Sequence, residues 1–319
     1  MHVFVAGGAG FIGSHTVAKL LSDPLIDRVT VYDNFSSGRR EFLPRNDPRL
    51  SVVEAEISSL DCLTEAMEGH DLVFHYASNP DIARAAREPD IDFWQGTFLT
   101  QNVVEAMRRS GVKEIVYASG SGIYGDVGYT WLTEDHSPLL PVSTYAASKL
   151  AGESLICSYC HMFGLRAWVY RFANVVGPRQ THGVTFDFIG RLMERPAELR
   201  ILGDGTQSKS YIHVDDVLAG IWCGRQSAGE VYNYFNVSTD DQITVSEIAE
   251  IVAEVMDLRN VRHIYSGGDR GWKGDVPIVR LDAAKIKRLG WRARYSTREA
   301  IQASAREIYC ENLASQSVP

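Results

Sequence analysis

Several features are missing from this 319-residue chain, and each absence excludes a class of protein. Cysteine is scarce: Cys62, Cys157, Cys160, Cys223 and Cys310 are odd in number and scattered, which excludes a disulfide framework. Cys157 and Cys160 form one C-x-x-C without a second pair, inside a helical pattern, so they read as helix-face residues rather than a metal or redox centre. No apolar run reaches the ~20 residues that cross a bilayer. Positive charge is not in excess, since 32 Lys and Arg stand against 40 Asp and Glu for a net charge of −8. That balance argues against duplex nucleic acid or an anionic membrane as the main partner, while leaving room for a small anionic ligand in a local positive pocket. Internal repeats, low-complexity segments and long charge runs are absent. No charged-then-apolar leader precedes the strand pattern that begins at residue 3, and the expectation is a cytoplasmic protein.

The composition that remains is ordinary for a globular enzyme, 45% hydrophobic and 23% charged. The length allows one large domain or two modest ones.

The most informative stretch is the first fourteen residues. Val3, Phe4 and Val5 read as a short strand, and Gly7, Gly10 and Gly13 follow in G-x-x-G-x-x-G spacing. Phe11, Ile12, His15, Thr16, Ala18 and Leu20 then read as a helix. This strand–turn–helix suits a dinucleotide: small residues admit the pyrophosphate, and the helix N-terminus offers it free N–H groups and a positive dipole end. A second strand, Val29-Thr30-Val31-Tyr32, ends at Asp33, twenty residues after Gly13. An acid there accepts both hydroxyls of the adenosine ribose and repels a 2′-phosphate, which favours NAD; Arg39 and Arg40 keep NADP as the alternative.

Strand and helix patterns alternate through the first half. Strands are expected at Ser51-Val52-Val53-Glu54-Ala55, Leu72-Val73-Phe74-His75, Glu114-Ile115-Val116-Tyr117-Ala118-Ser119 and Ala167-Trp168-Val169-Tyr170-Arg171. Helices are expected at 60–67, 90–109 and 145–163. Such alternation predicts an α/β fold, a doubly wound parallel sheet with helices on both faces and ligands beyond the carboxyl ends of its strands. Gly7, Asp33, Ser78, Ser119 and Asn174 all fall there. Past residue 175 the alternation weakens, with helices at 186–194, 244–256 and 298–313, and a smaller C-terminal lobe is expected.

Tyr145-Ala146-Ala147-Ser148-Lys149 is Y-x-x-x-K. Residues four apart share a helix face, so phenol and ammonium lie side by side. The cation is expected to lower the phenol pKa from ~10 toward neutrality and so make a base for a hydroxyl proton.

With GGAGFIGSH at 7–15, Asp33-Asn34-Phe35-Ser36-Ser37-Gly38, His75-Tyr76-Ala77-Ser78, Tyr124-Gly125, the Tyr145–Lys149 pair, Arg171-Phe172-Ala173-Asn174, Leu202-Gly203-Asp204-Gly205, Tyr211-Ile212-His213 and Gly274-Asp275, the chain resembles the extended short-chain dehydrogenases/reductases. Within them it resembles the NAD-dependent epimerase/dehydratase family, and UDP-glucose 4-epimerase-like nucleotide-sugar enzymes most. The resemblance implies a Rossmann-type NAD-binding domain over 1–175 and a nucleotide-sugar-binding α/β lobe over 176–319, the boundary being soft. It implies NAD contacts at Gly7, Gly10, Phe11, Ile12, Gly13, Asp33, Asn34, Ser37, Gly38, Glu56, Ile57, Tyr76, Ala77, Ser78, Ser119, Tyr145, Lys149 and Phe172. Tyr145 would deprotonate the sugar 4-hydroxyl, and Lys149 would also hold the nicotinamide ribose. Asn174, Val184, Lys209, Arg270 and Asp275 would bind the substrate, expected to be a UDP-hexose, and the protein would be a homodimer.

Four departures stand out. Gly120 occupies the place of a family Ser or Thr, 25 residues before Tyr145, with Ser119 or Ser121 as possible substitutes. Ser121 and Gly122 stand where sugar-nucleotide dehydratases carry Asp and Glu. Phe93 replaces a common Asn, and Trp272 a common Arg, with Arg270 two residues earlier. The resemblance therefore implies a 4-epimerase, with a nucleotide-sugar oxidoreductase or a catalytically impaired binding protein as alternatives.

Overall fold

The computed structural model describes residues 1–316. Its first strands are β1 (His2–Ala6), β2 (Arg28–Asp33), β3 (Leu50–Glu54), β4 (Leu72–His75) and β5 (Glu114–Gly120). β1, β2 and β4 are buried almost throughout, which is why they read as continuous rather than alternating apolar runs. With Arg166–Phe172 and Tyr232–Val237 they form a seven-stranded sheet in the order Tyr232–Val237, Arg166–Phe172, β5, β4, β1, β2, β3. Pairing from β5 to β3 is parallel, with Val3 opposite both Val29 and Leu72. The strand order reverses between β1 and β4, and in open α/β sheets ligands bind beyond the carboxyl ends at such a point.

The helices α1 (Phe11–Leu21), α2 (Leu60–Met67), α3 (Phe98–Ser110) and α4 (Thr144–Phe163) belong to the same unit. Leu63, Met67, Val103, Met107 and Ile156 pack with Phe4, Val73, Ile115 and Val169 of the sheet. The helix expected over 90–109 starts differently. Residues Phe93–Thr97 make a wide π turn before α3 begins. Gly96 in that turn lies against α4, where a Cβ would sit 2.6 Å from the Ser148 hydroxyl, so close approach of the two elements sets the local geometry. Cys157 and Cys160 are reduced residues of α4, and the described residues contain no cluster suited to a metal. No helix among the described residues is long and apolar enough to cross a membrane.

The chain divides into two units. The first is Met1–Ile123, Thr144–Arg171 and Ile221–Phe235; the second is Tyr124–Ser143, Phe172–Gly220 and the chain from Asn236 onward. The second unit packs helices Val184–Glu194, Val245–Val255 and Thr297–Gln316 around Phe188, Ile189, Ile248, Val252, Ile301 and Ile308. Thr244 and Glu247 close a capping box on the middle helix, each satisfying the other's backbone N–H.

Two buried polar groups brace the first unit. Glu153 and Arg171 form an ion pair at 2.8 Å with both side chains almost fully buried. His75 of β4 is fully buried, its Nε2 3.0 Å from the Thr100 hydroxyl. That hydroxyl donates to the Gly96 carbonyl and therefore accepts from Nε2–H, which fixes a proton on Nε2. Burial, then the nearby Lys149 charge, holds its pKa down at about 3. The unfolded imidazole takes a proton below its ordinary value of 6.5 and the folded one does not, so stability falls as pH falls from 6.5 toward 3. A His75→Phe variant should flatten this acid limb in urea midpoints measured against pH. An unchanged slope would assign the acid sensitivity elsewhere.

Candidate active site

The turn after β1 is built from steric necessity. Gly7 has φ +78°, and a Cβ on it would sit 2.6 Å from the Ala77 nitrogen. A Cβ on Gly13 would sit 2.2 Å from the Gly7 carbonyl oxygen. Glycine alone lets β1, the turn and α1 approach this closely. Gly10 caps α1 without any side-chain hydrogen bond, so the N–H groups of the first turn, around Phe11 and Ile12, stay available to an anion.

Asp33 ends β2 at the rim of this turn, 8% exposed. Its carboxylate accepts from the Ala9 N–H and the Phe35 N–H, each at 2.9 Å, and Gly38 lies against it. Those bonds aim the carboxylate and leave lone pairs for two ribose hydroxyls. Arg40 pairs with Glu54 over the Phe35 ring, and Arg39 faces Glu41, so both arginines are already directed at carboxylates instead of a 2′-phosphate. Asn34 donates to the Glu56 carboxylate, while its own oxygen takes the Ser36 N–H; Ser37 is exposed and Ile57 buried beside them. The Tyr76 and Ala77 N–H groups both reach the Ala6 carbonyl, and Thr16 donates to the Tyr76 phenol.

Tyr145 and Lys149 lie one turn apart on α4. The Lys149 ammonium, 5% exposed, donates to the Ala118 carbonyl of β5 at 3.0 Å and stands 5.5 Å from the Tyr145 ring centre. One of its three N–H donors is spent there. The Ser78 side chain lies beside the Tyr145 phenol and favours its ionised form. The expected depression of the phenol pKa is reversed in the chain by itself. Burial outweighs the effect of Ser78 and pushes the phenol up to about 12. Burial likewise brings Lys149 down to about 8, the same desolvation acting on a charge of opposite sign. Ser119 is buried, and its hydroxyl has no hydrogen-bond partner among the described residues. Gly120 follows at the strand end, where a Cβ would meet nothing within 4 Å, and Ser121 begins the tight turn Ser121–Tyr124. The open α1 N-terminus, the aimed Asp33 carboxylate, the unspent Lys149 donors and the orphaned Ser119 hydroxyl fit a dinucleotide.

The second unit gathers other expected residues. Lys209 pairs with Asp275 at 2.5 Å, with its side chain 20% exposed, so it is not a solvated surface charge. Arg270 pairs with Asp126 at 2.6 Å and reaches the Asp275 carbonyl. The other Asp275 oxygen accepts from the Gly271 N–H. Asn174 is bonded to the Ser210 carbonyl, next to Lys209, and Val184 begins its helix packed against the core of this unit. Phe172 is buried at the end of its strand. Asn79, Asp92, Thr144 and Asp126 were invisible to motif reasoning, since short polar residues in loops carry no periodic signal.

A family model described as the NAD dependent epimerase/dehydratase family matches residues 3–238. A UDP-glucose 4-epimerase of Mycolicibacterium smegmatis is 31% identical over 311 residues, covering 94% of this chain and 96% of that one. A crystal structure of UDP-galactose 4-epimerase superposes with a TM-score of 0.87 at 36% identity, over 98% of this chain and 99% of the other. A dTDP-glucose 4,6-dehydratase from Streptomyces venezuelae, solved with NAD bound, superposes with a TM-score of 0.91 at 28% identity, over 99% and 98%.

Replacing Asp33 by Ala removes the charged acceptor and frees the turn. NAD affinity measured by calorimetry should fall about 10- to 100-fold, the worth of hydrogen bonds to a charged group. An unchanged affinity would exclude Asp33 from the ribose site.

Proposed function

Since this chain belongs to the NAD-dependent epimerase/dehydratase family, we propose that it is a nucleotide-sugar 4-epimerase acting on a UDP-hexose. The observation that carries this reading is the make-up of the turn after β5. That turn holds Ser121 and Gly122 and no carboxylate, while Tyr145 and Lys149 are both in place. Removing a hydroxyl proton needs the phenol and the ammonium. Eliminating water from the sugar needs a further acid and base, and Ser121 and Gly122 supply neither.

The positions support the following division of roles. Ser78 lies beside the Tyr145 phenol and favours its ionised form, and the phenolate takes the proton of the sugar 4-hydroxyl. Lys149, anchored on Ala118, keeps a positive charge beside that oxygen and directs its remaining N–H groups at the nicotinamide ribose. NAD, when bound, supplies the hydride acceptor and donor through which C4 passes as a ketone. Tyr145 returns the proton when the opposite face has been reduced. Asn174, Lys209 and Arg270 bind the diphosphate, its oxygens displacing the carboxylates of Asp275 and Asp126 from the two cations, and Val184 lies beside the nucleobase.

Gly120 leaves out one hydroxyl donor, and the empty space beside it accepts one without a clash. Ser121 is the nearest substitute in the chain. Gly120 also favours a second reading, a cofactor- and sugar-nucleotide-binding protein with little turnover.

The deciding experiment incubates the purified protein with a panel of UDP-hexoses and no added reductant, following the anomeric protons by NMR. A new C4 epimer without net NADH is expected. A 6-deoxy-4-keto sugar would establish a dehydratase instead, and no conversion by a protein that holds NAD would favour the binding reading. Gly120→Ser should raise the turnover number by up to about 10², the worth of one preorganised donor. If it does not, Ser121 already supplies that donor. Tyr145→Phe should lower turnover by about 10² to 10⁴ while NAD stays bound.

A further inference from the structure

Asp92 takes no part in the proton and hydride transfers, yet it is 1% exposed at the edge of the site. One carboxylate oxygen accepts from the Asn79 amide at 2.8 Å and the other from the Thr144 hydroxyl at 2.7 Å. These two donors are the sequence neighbours of the groups that meet at the phenol. Asn79 follows Ser78, and Thr144 precedes Tyr145. Asn79 is itself held by Asp81, its oxygen taking the Asp81 N–H and its amide reaching the Asp81 carbonyl, both at 3.0 Å. The π turn at Phe93–Thr97 begins directly after Asp92 and is seated against α4 through Gly96 and Ser148. A π turn interrupts regular helix and recurs at functional sites.

We propose that Asp92 is a positioning residue: it ties the loop bearing Ser78 to the first turn of α4 and so holds the Tyr145 phenol against the Ser78 hydroxyl. The proposal rests on Tyr145 as the acid–base group and adds the device that holds it. A buried carboxylate with two donors on separate elements is expensive to leave unpaired, so the two elements are held at one spacing. The same charge acts on the reacting pair. It raises the pKa of Tyr145, opposing phenolate formation, and it raises that of Lys149, keeping the ammonium charged against its burial. The other ionisable groups facing the pair are His75 of β4, neutral, and Tyr117 of β5, whose ring lies 5.2 Å from the ammonium and whose phenol burial holds protonated. Asp92 is therefore the countercharge of Lys149 at this end of the sheet.

The test uses the NAD-loaded protein and two variants. Asp92→Asn keeps the shape and removes the charge. Thr144→Val keeps the charge and removes one of its bonds. The Tyr145 phenol is titrated by tyrosinate absorbance near 295 nm, as the difference between each protein and the same protein carrying Tyr145→Phe. The midpoint should move to lower pH in Asp92→Asn and should not fall in Thr144→Val, where the charge remains. This reading needs no substrate, so it stands or falls apart from the epimerase assignment. Where a UDP-hexose is turned over, both variants should lose about tenfold or more in kcat, as small misplacements of a reacting group do. KM and NAD content should remain within about twofold of the parent. An unmoved midpoint in Asp92→Asn, or losses confined to KM and NAD content, would overturn the proposal. Parental kcat in Thr144→Val would overturn it too, even if Asp92→Asn failed to fold.

Discussion

The Lys149 ammonium is a charge buried at the carboxyl end of a parallel sheet, and much of the surrounding architecture depends on how that charge is held. An unpaired ammonium in such a place would lose its proton or unfold its surroundings. Here one N–H is given to the Ala118 carbonyl, which also fixes α4 against β5. The Tyr117 ring lies within range of the charge, and Asp92 supplies a negative field. His75 answers from below by staying neutral. Burial raises the phenol and lowers the ammonium at once, so neither group is set for proton transfer by its neighbour alone. The cofactor's positive nicotinamide is the remaining charge that would favour the phenolate. Binding and activation are in that sense one event.

Much of this was legible in the sequence, for identifiable reasons. β1, β2 and β4 are short, apolar and bounded by glycine or aspartate, and the structure has them within a residue or two of the expected limits. Gly7 and Gly13 announced themselves because the backbone leaves no room for a Cβ. Tyr145 and Lys149 were found by helix spacing. The sign of the phenol's pKa shift was not, because spacing reports proximity and says nothing of desolvation. The π turn was read as plain helix, since nothing local marks it and its seat against Ser148 is a tertiary contact. Asp92 carries no local signal; its partners Asn79 and Thr144 come from separate segments. The pairing of Lys209 with Asp275, 66 residues away, is equally beyond any local pattern.

Global likeness does not separate the two reactions of this family. The dehydratase structure superposes as well as the epimerase one, because one architecture serves more than one reaction. On the epimerase proposal the distinction would lie in the turn Ser121–Tyr124, which carries no carboxylate. A fold that delivers a ketone can be turned to epimerisation or elimination by a short turn on a fixed sheet, and the absence of carboxylates there weighs more than a few hundredths in superposition.

The second unit shows the same economy of charge in another form. Lys209 and Arg270 are each paired with a carboxylate, so neither cation faces water alone. Asp275 serves both, through Oδ1 to Lys209 and its carbonyl to Arg270, while Oδ2 holds the Gly271 N–H. If a diphosphate binds there, as proposed, it would exchange one set of charge-assisted bonds for another and avoid desolvating bare cations. Such an exchange limits the net affinity for the nucleotide, since the displaced carboxylates must be solvated or rebonded. It raises selectivity at the same time, because a ligand with a single negative charge cannot replace two carboxylates held in fixed positions. The carboxylates are therefore part of how the site would tell a nucleoside diphosphate from a lesser anion.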